Sequence, residues 1–319
     1  ARKAPSPEGA APSTMHASLG KSCRASLRLQ QVRLHVLPRP LSARCPLASC
    51  APARTVSAAA SAAAAMIVER VPCLSDNYSW LLHDASTGET ALVDSSEAQP
   101  VEAALNAKGW KLTHIFNTHH HGDHTGANLE LKKRHGLTII GPRADAARIP
   151  GIDVQVQDGD KFTFGSAEVQ VFDTPGHTRG HITFYIPSAK ALFPGDTLFA
   201  LGCGRLFEGD PKMMWSSLSK LLPLPDDTHV FCAHEYTQSN ARFAVTVDPG
   251  NEALAARKSR IDAERAAGRA TVPSLLGEEK ATNPFLRPFS EGIRKALGVP
   301  TGAEDWQVFG AVRAAKDSF

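Results

Sequence analysis

The stretch Thr118–Ala127, "THHHGDHTGA", sets four histidines and one aspartate in the six positions 119–124. It directly follows Lys111–Asn117, whose apolar pattern predicts a strand. Residues two apart in extended backbone share a side, so His119 and His121 can converge on one ion while His120 points away. Asp123 and His124 come next, at the mouth of a predicted helix, within reach of a second ion. Zinc-like ions take imidazole and carboxylate ligands at short range. Two histidines do not complete such a site, so the fold has to bring more ligands to this one turn. Three candidates stand beside turn signals after predicted strands: His177 in "DTPGHTRGH", Asp196 in "FPGDTLF" and His234 in "CAHEYT". Loops carried on a rigid scaffold are the usual source of such ligands.

The segments around these loops supply that scaffold. Strands are predicted at Ile67–Val71, Ser79–His83, Glu89–Asp94, Leu137–Ile140, Lys161–Phe164, Glu168–Phe172, His181–Ile186, Ala191–Phe193 and Thr228–Cys232. Helices are predicted at Pro100–Lys108, Ala127–His135 and Pro211–Leu222, the last with proline in its first turn. Interleaved strands and helices mark a layered α/β sandwich. After Glu235 the pattern changes: Gln238–Val247, Asn251–Ala267 and Ala303–Asp317 have helical periodicity, and no strand is expected beyond them. A boundary is therefore placed near residue 238, separating the sandwich over 66–238 from an α-helical domain over 239–319.

Charge sets residues 1–65 apart. They hold nine Lys or Arg and one acid, Glu8, which leaves 26 basic against 31 acidic residues in 66–319. The basic excess belongs to this leader, and an acidic body argues against a nucleic-acid surface. The leader is rich in Arg, Ala, Ser and Pro, the composition of an organellar transit peptide, with the mitochondrion favoured over the plastid and a disordered tail as the plain alternative. Met15 is a candidate true initiator, and Met66 could open a shorter form. No run of about 18 apolar residues occurs, so no membrane span is expected. The body keeps only Cys73, Cys203 and Cys232, widely spaced and odd in number, which is no disulfide framework.

Taken in order, "LSDNYSW", "THHHGDH", "TPGHTRGHITFY", "FPGDTLF", "GCGRLFEG", "HEYT", "TVPSLLGEE", "NPFLR" and "VRAAKDSF" resemble the metallo-β-lactamase superfamily and, within it, the glyoxalase II family. The likeness runs from about Met66 to Phe319. It implies a four-layer αββα sandwich followed by the helical domain, holding two divalent ions, zinc with iron or manganese as alternatives. His119, His121 and His177 would bind the first ion, Asp123, His124 and His234 the second, and Asp196 would bridge them. The implied reaction is hydrolysis of S-D-lactoylglutathione to D-lactate and glutathione by a metal-bridged hydroxide that Asp123 helps to orient. This is the second step of methylglyoxal detoxification, and the protein is expected to be a monomer.

Arg313 and Lys316, three apart on a predicted helix, share a face; the resemblance implies that they hold a glutathione carboxylate, against the alternative of a solvated basic face. Tyr236 would contact the glutathione backbone. Two positions depart from the pattern: Arg205 stands where many members carry lysine, and Phe207 replaces a tyrosine found in some. Asp94, ending a strand, is expected either to orient a ligand histidine or to cap a turn. His120 and His181 are expected behind the ligands or in the core. The rival enzyme is a persulfide dioxygenase with a single iron, against which the helical extension ending in Arg313 and Lys316 argues. The rival of another class is a catalytically inactive metal- or glutathione-binding protein.

Overall fold

The computed structural model describes residues 66–319, and the leader expected over 1–65 lies outside the described residues. The first sheet runs, in spatial order, through β1 (Met66–Cys73), β2 (Asn77–Asp84), β3 (Thr90–Val93), β4 (His114–Phe116), β5 (Thr138–Pro142) and β6 (Val154–Val156). β1, β2 and β3 pair antiparallel, and β3 to β6 pair parallel. Helices α1 (Ala98–Lys108) and α3 (Asn128–His135) supply two of the crossovers, with the one-turn α2 (Gly122–Thr125) between β4 and α3.

The second sheet contains β7 (Lys161–Phe164), β8 (Ala167–Asp173), β9 (Ile182–Ile186) and β10 (Ala191–Phe193). A two-stranded ribbon follows, β11 (Leu198–Phe199) with β12 (Gly202–Cys203), then α4 (Pro211–Leu221) and β13 (His229–Val230). The remaining helices are α5 (Thr237–Val247), α6 (Glu252–Ala266), α7 (Leu276–Thr282), α8 (Glu291–Ala296) and α9 (Asp305–Asp317), and β14 (Ser274–Leu275) precedes α7. The spatial order of this sheet is β14, β13, β10, β9, β8, β7.

Alternation along the strands makes the layers. In β2, Trp80 and Leu82 turn toward the second sheet while Leu81 joins Val101, Leu105 and Leu131 of the outer helices. Both faces are thus apolar, which is why these strands read as continuous hydrophobic runs. On the other side Met214, Leu218 and Leu221 of α4 cover the second sheet, completing αββα. α4 starts at an Asp210 cap, whose carboxylate accepts from the Met213 N–H at 2.8 Å, with Pro211 at the first position.

The expectation of no strand after Glu235 is corrected. β14 crosses back and pairs antiparallel with β13, and α9 packs on α4 with Val308, Phe309 and Val312 in the same core as the sheets. Residues 239–319 are therefore not helical throughout. Two residues following a proline carry no periodic signal, so β14 could not be read from the sequence. No helix among the described residues is long and apolar enough to cross a membrane.

Candidate metal centre

All the ligand candidates sit just past strand ends. His119 and His121 follow β4, His177 follows β8, Asp196 follows β10 and His234 follows β13. His121 is the residue that starts α2, and the single turn of that helix carries Asp123 and His124. Glycines allow the close approach of these loops. A Cβ on Gly195, whose φ is +47°, would stand 2.4 Å from Thr118 Oγ1 and 2.8 Å from His181 Nε2. One on Gly204 would meet the Asp196 carbonyl at 2.0 Å. Neither position tolerates a side chain without moving a ligand loop.

Three groupings of donor atoms form, each within 4.8 Å: His119, His121 and His177; Asp123, His124 and His234; and His119, His124 and Asp196. His121 Nδ1 lies 3.1 Å from His119 Nε2 and 3.0 Å from His177 Nε2. Asp196 faces both sides, with Oδ2 3.3 Å from His177 Nε2 and Oδ1 3.3 Å from His124 Nε2 and 3.4 Å from His234 Nε2. His120 lies outside every grouping; its Nδ1 meets the buried Asp145 carboxylate at 2.8 Å.

Hydrogen bonding on the outer side fixes the tautomers. His177 Nδ1 donates to the Arg205 carbonyl at 2.9 Å, His124 Nδ1 to Asp94 Oδ2 at 2.9 Å and His234 Nδ1 to Asp76 Oδ1 at 2.9 Å. Thr118 spends its hydroxyl proton on Asp94 Oδ2 at 2.8 Å, so His119 Nδ1 donates to Thr118 Oγ1 at 3.0 Å. Each of these rings in its neutral form turns an Nε2 lone pair inward. Lone pairs facing one another and a carboxylate need a cation between them. The buried His124 Nε2 and Asp196 Oδ1 indeed have no hydrogen-bond partner, a costly state unless a metal satisfies them. Burial pushes His119 and His177 below the ordinary imidazole range, which favours their neutral form. Burial opposes charge on Asp196, His124 and His234 alike, but attraction between carboxylate and imidazolium outweighs it, lowering the Asp196 carboxyl and raising the two histidines; a divalent cation would take the place of those protons. The donor set fits divalent cations.

Asp94 therefore orients His124 and, through Thr118, His119. His181 Nε2 accepts from the Asp196 N–H at 3.1 Å while its Nδ1 donates to Thr174 and Thr197, each at 3.1 Å. It is fully engaged behind the ligands. Sequence reasoning gave no role to Asp76, Asn77 or Asp145. The first two lie in "LSDNYSW", but ordinary polar residues far along the chain carry no local signal of what they hold.

The ligand atoms open into a cavity of about 790 Å³ lined by His121, Asp123, His177, Asp196 and His234 at one end and Arg205, Arg242, Arg313 and Lys316 elsewhere. Phe207, 61% exposed, sets its ring against those of His121 and His177 at centroid distances of 5.8 and 5.2 Å. Tyr236 stacks on His234 at 4.7 Å. Arg313 is only 6% exposed, so the solvated-face alternative is corrected. Its guanidinium donates to Asp317 Oδ1 at 2.6 Å and to the Cys203 carbonyl at 3.2 Å. Among the described residues Arg205, Arg242 and Lys316 form no ion pair. Burial, then Arg313, Arg242 and Arg205, push the Lys316 ammonium below its ordinary value. Arg242 was missed because its single charge in α5 looks like any exposed helix cation.

Comparison with known proteins follows the same division of the chain. Residues 75–234 match the model of the metallo-beta-lactamase superfamily, and residues 235–319 that of the hydroxyacylglutathione hydrolase C-terminus. The hydroxyacylglutathione hydrolase of Methylococcus capsulatus is 57% identical over 250 residues, covering 78% of this chain and 97% of that protein. That of Rhizobium meliloti is 52% identical over 256 residues, covering 80% and 100%. Among solved structures, ETHE1 from Myxococcus xanthus superposes with a TM-score of 0.55 at 27% identity, covering 79% of this chain and 99% of that one. With both regions matched and identity above one half over nearly the full length of these relatives, the chain belongs to the hydroxyacylglutathione hydrolase family of the metallo-β-lactamase superfamily.

Proposed function

We propose that this chain hydrolyses S-D-lactoylglutathione and related 2-hydroxyacyl glutathione thioesters to the hydroxy acid and glutathione, using two divalent ions. His119, His121 and His177 would hold the first, Asp123, His124 and His234 the second, and Asp196 would serve both. Bound ions of this kind act as Lewis acids and lower the pKa of water to about 7. The protein's own groups do the rest. Asp123, its carboxylate 38% exposed, faces the cavity and can accept a hydrogen bond from the attacking water. The Phe207 ring gives the acyl group an apolar wall beside the ligands. The leaving group is a thiolate whose conjugate acid has a pKa of about 8.5, so no strong general acid is required.

The observation that carries this reading is the cavity itself, which joins the donor cluster to a set of cations short of counter-charges. Glutathione brings two carboxylates and one ammonium, and unpaired cations at a fixed distance from the reacting centre select such a tail. Residues 1–65 we read as an organellar address, mitochondrial in preference to plastid, on their arginine-rich and acid-poor composition.

The test compares kcat/KM for S-D-lactoylglutathione with that for a lactoyl thioester of a small thiol lacking carboxylates. A preference of about 100-fold or more for glutathione is expected from one or two charge-assisted contacts. Equal rates would remove the tail recognition. Oxygen uptake on glutathione persulfide without thioester hydrolysis would install the dioxygenase instead.

A further inference from the structure

The two donor sets are anchored in different ways, and the difference has a consequence for metal binding. Around His119 and His177 the outer partners are the fully buried Thr118 hydroxyl and a backbone carbonyl, that of Arg205. Two of the three ligands in the second set lean on side chains from the first hairpin. Asp76, in the turn between β1 and β2, accepts from His234 Nδ1 at 2.9 Å. Asn77, the first residue of β2, donates from Nδ2 to Asp123 Oδ2 at 3.0 Å. The same short segment is zipped to the loop bearing His234: the Tyr78 N–H donates to the Ala233 carbonyl at 2.6 Å and the Glu235 N–H to the Asp76 carbonyl at 2.9 Å. Asn77 and His234 form a bridge, and the Tyr78 hydroxyl donates to Glu235 Oε2 at 2.9 Å.

We propose that Asp76 and Asn77 are positioning residues that set the affinity of the second ion without setting that of the first. The proposal rests on the two-ion reading above. Asp76 fixes the His234 tautomer and raises the donor strength of its Nε2, as a carboxylate behind a ligating imidazole does. Asn77 holds one carboxylate oxygen of the partly exposed Asp123 in place, sparing the ordering cost when an ion arrives. Neither residue touches His119, His121 or His177 through a hydrogen bond, so the first set keeps its geometry when they change. The first hairpin therefore acts as an adjustable wall of one ion site only.

The test uses the full chain loaded with zinc and a competing chelator, counting ions released per chain and following the fold by circular dichroism and thermal melting. Asp76→Ala and Asn77→Ala are each expected to release one ion about 10- to 100-fold more readily, the range typical for removing such an outer partner. The other ion should keep its wild-type release. Asp76→Asn, which keeps an acceptor but loses the charge, should fall between. If Asn77→Ala does not fold, the two variants at the half-exposed Asp76 decide alone. Two ions released as in the wild type, or both ions weakened together in a folded variant, would overturn the proposal. A wild type that itself holds a single ion would instead overturn the two-ion reading.

Discussion

Single buried carboxylates do much of the structural work, and Asp84 shows how. It ends β2 at 0% exposure and binds across both sheets, accepting from the Ser86 N–H at 2.8 Å and from the Ser166 hydroxyl at 2.6 Å in the turn between β7 and β8. Burial acts to raise its carboxyl, but the hydrogen bonds from Ser166 and Ser86 outweigh it and hold the group far below the usual carboxylate range. A depressed carboxyl contributes stability above its unfolded value of about 3.9, and that contribution is lost as pH falls through the folded value. Asp84→Asn should therefore lower the melting temperature by a few degrees at pH 7 and pH 5. The gap to the wild type should begin to narrow below about pH 4, where the unfolded chain's carboxyl takes up its proton, and close only as pH falls through the folded value. A gap that stays constant down to pH 3 would contradict this role. At this scale the donor cluster was legible, because His119, His121, Asp123 and His124 stand too densely in the sequence to be chance. Their orienting partners were legible only in part. Asp94 was found because it ends a predicted strand, but Asp76, Asn77 and Asp145 are common residues whose meaning exists only after folding.

Among the elements, α9 carries two cations to the cavity. Its apolar side, Val308, Phe309 and Val312, is buried against the sheets and α4, which turns Arg313 and Lys316 into the cavity. Periodicity predicted this helix to within two residues of its start, and the three-residue spacing predicted the shared face. Asp317, which pairs with Arg313 one turn on, went unread, so the sequence overstated how free that guanidinium is. Arg313→Ala should still raise KM for glutathione thioesters about 10- to 100-fold, the loss of one charge-assisted contact, while changing kcat little. An unchanged KM would leave Arg313 a structural tie between α9 and the Cys203 carbonyl. The long strands and helices emerged from their periods, whereas β11, β12 and β14, at two residues each, are set by pairing partners that no local window contains.

The whole molecule is organised so that two sheets deliver ligands to one point. The loop after β4 of the first sheet carries His119 and His121, and the loops after β8, β10 and β13 of the second carry His177, Asp196 and His234. Metal binding therefore ties the sheets together at their common edge, and an ion bound to the folded state alone stabilises it by mass action. The layered architecture could be inferred from the alternation of strands and helices. The return of β14 and α9 into the same core could not, since it depends on packing between residues far apart in sequence. The seven donor residues are proposed to form one two-ion hydrolytic centre. Its most direct test is to strip the purified chain of metal, add zinc back stepwise, and record bound zinc and S-D-lactoylglutathione hydrolysis on the same samples. Binding should saturate at two ions per chain, with hydrolysis reaching its maximum only as the second binds. Saturation at one ion with full hydrolysis, or two bound ions with no hydrolysis, would contradict it.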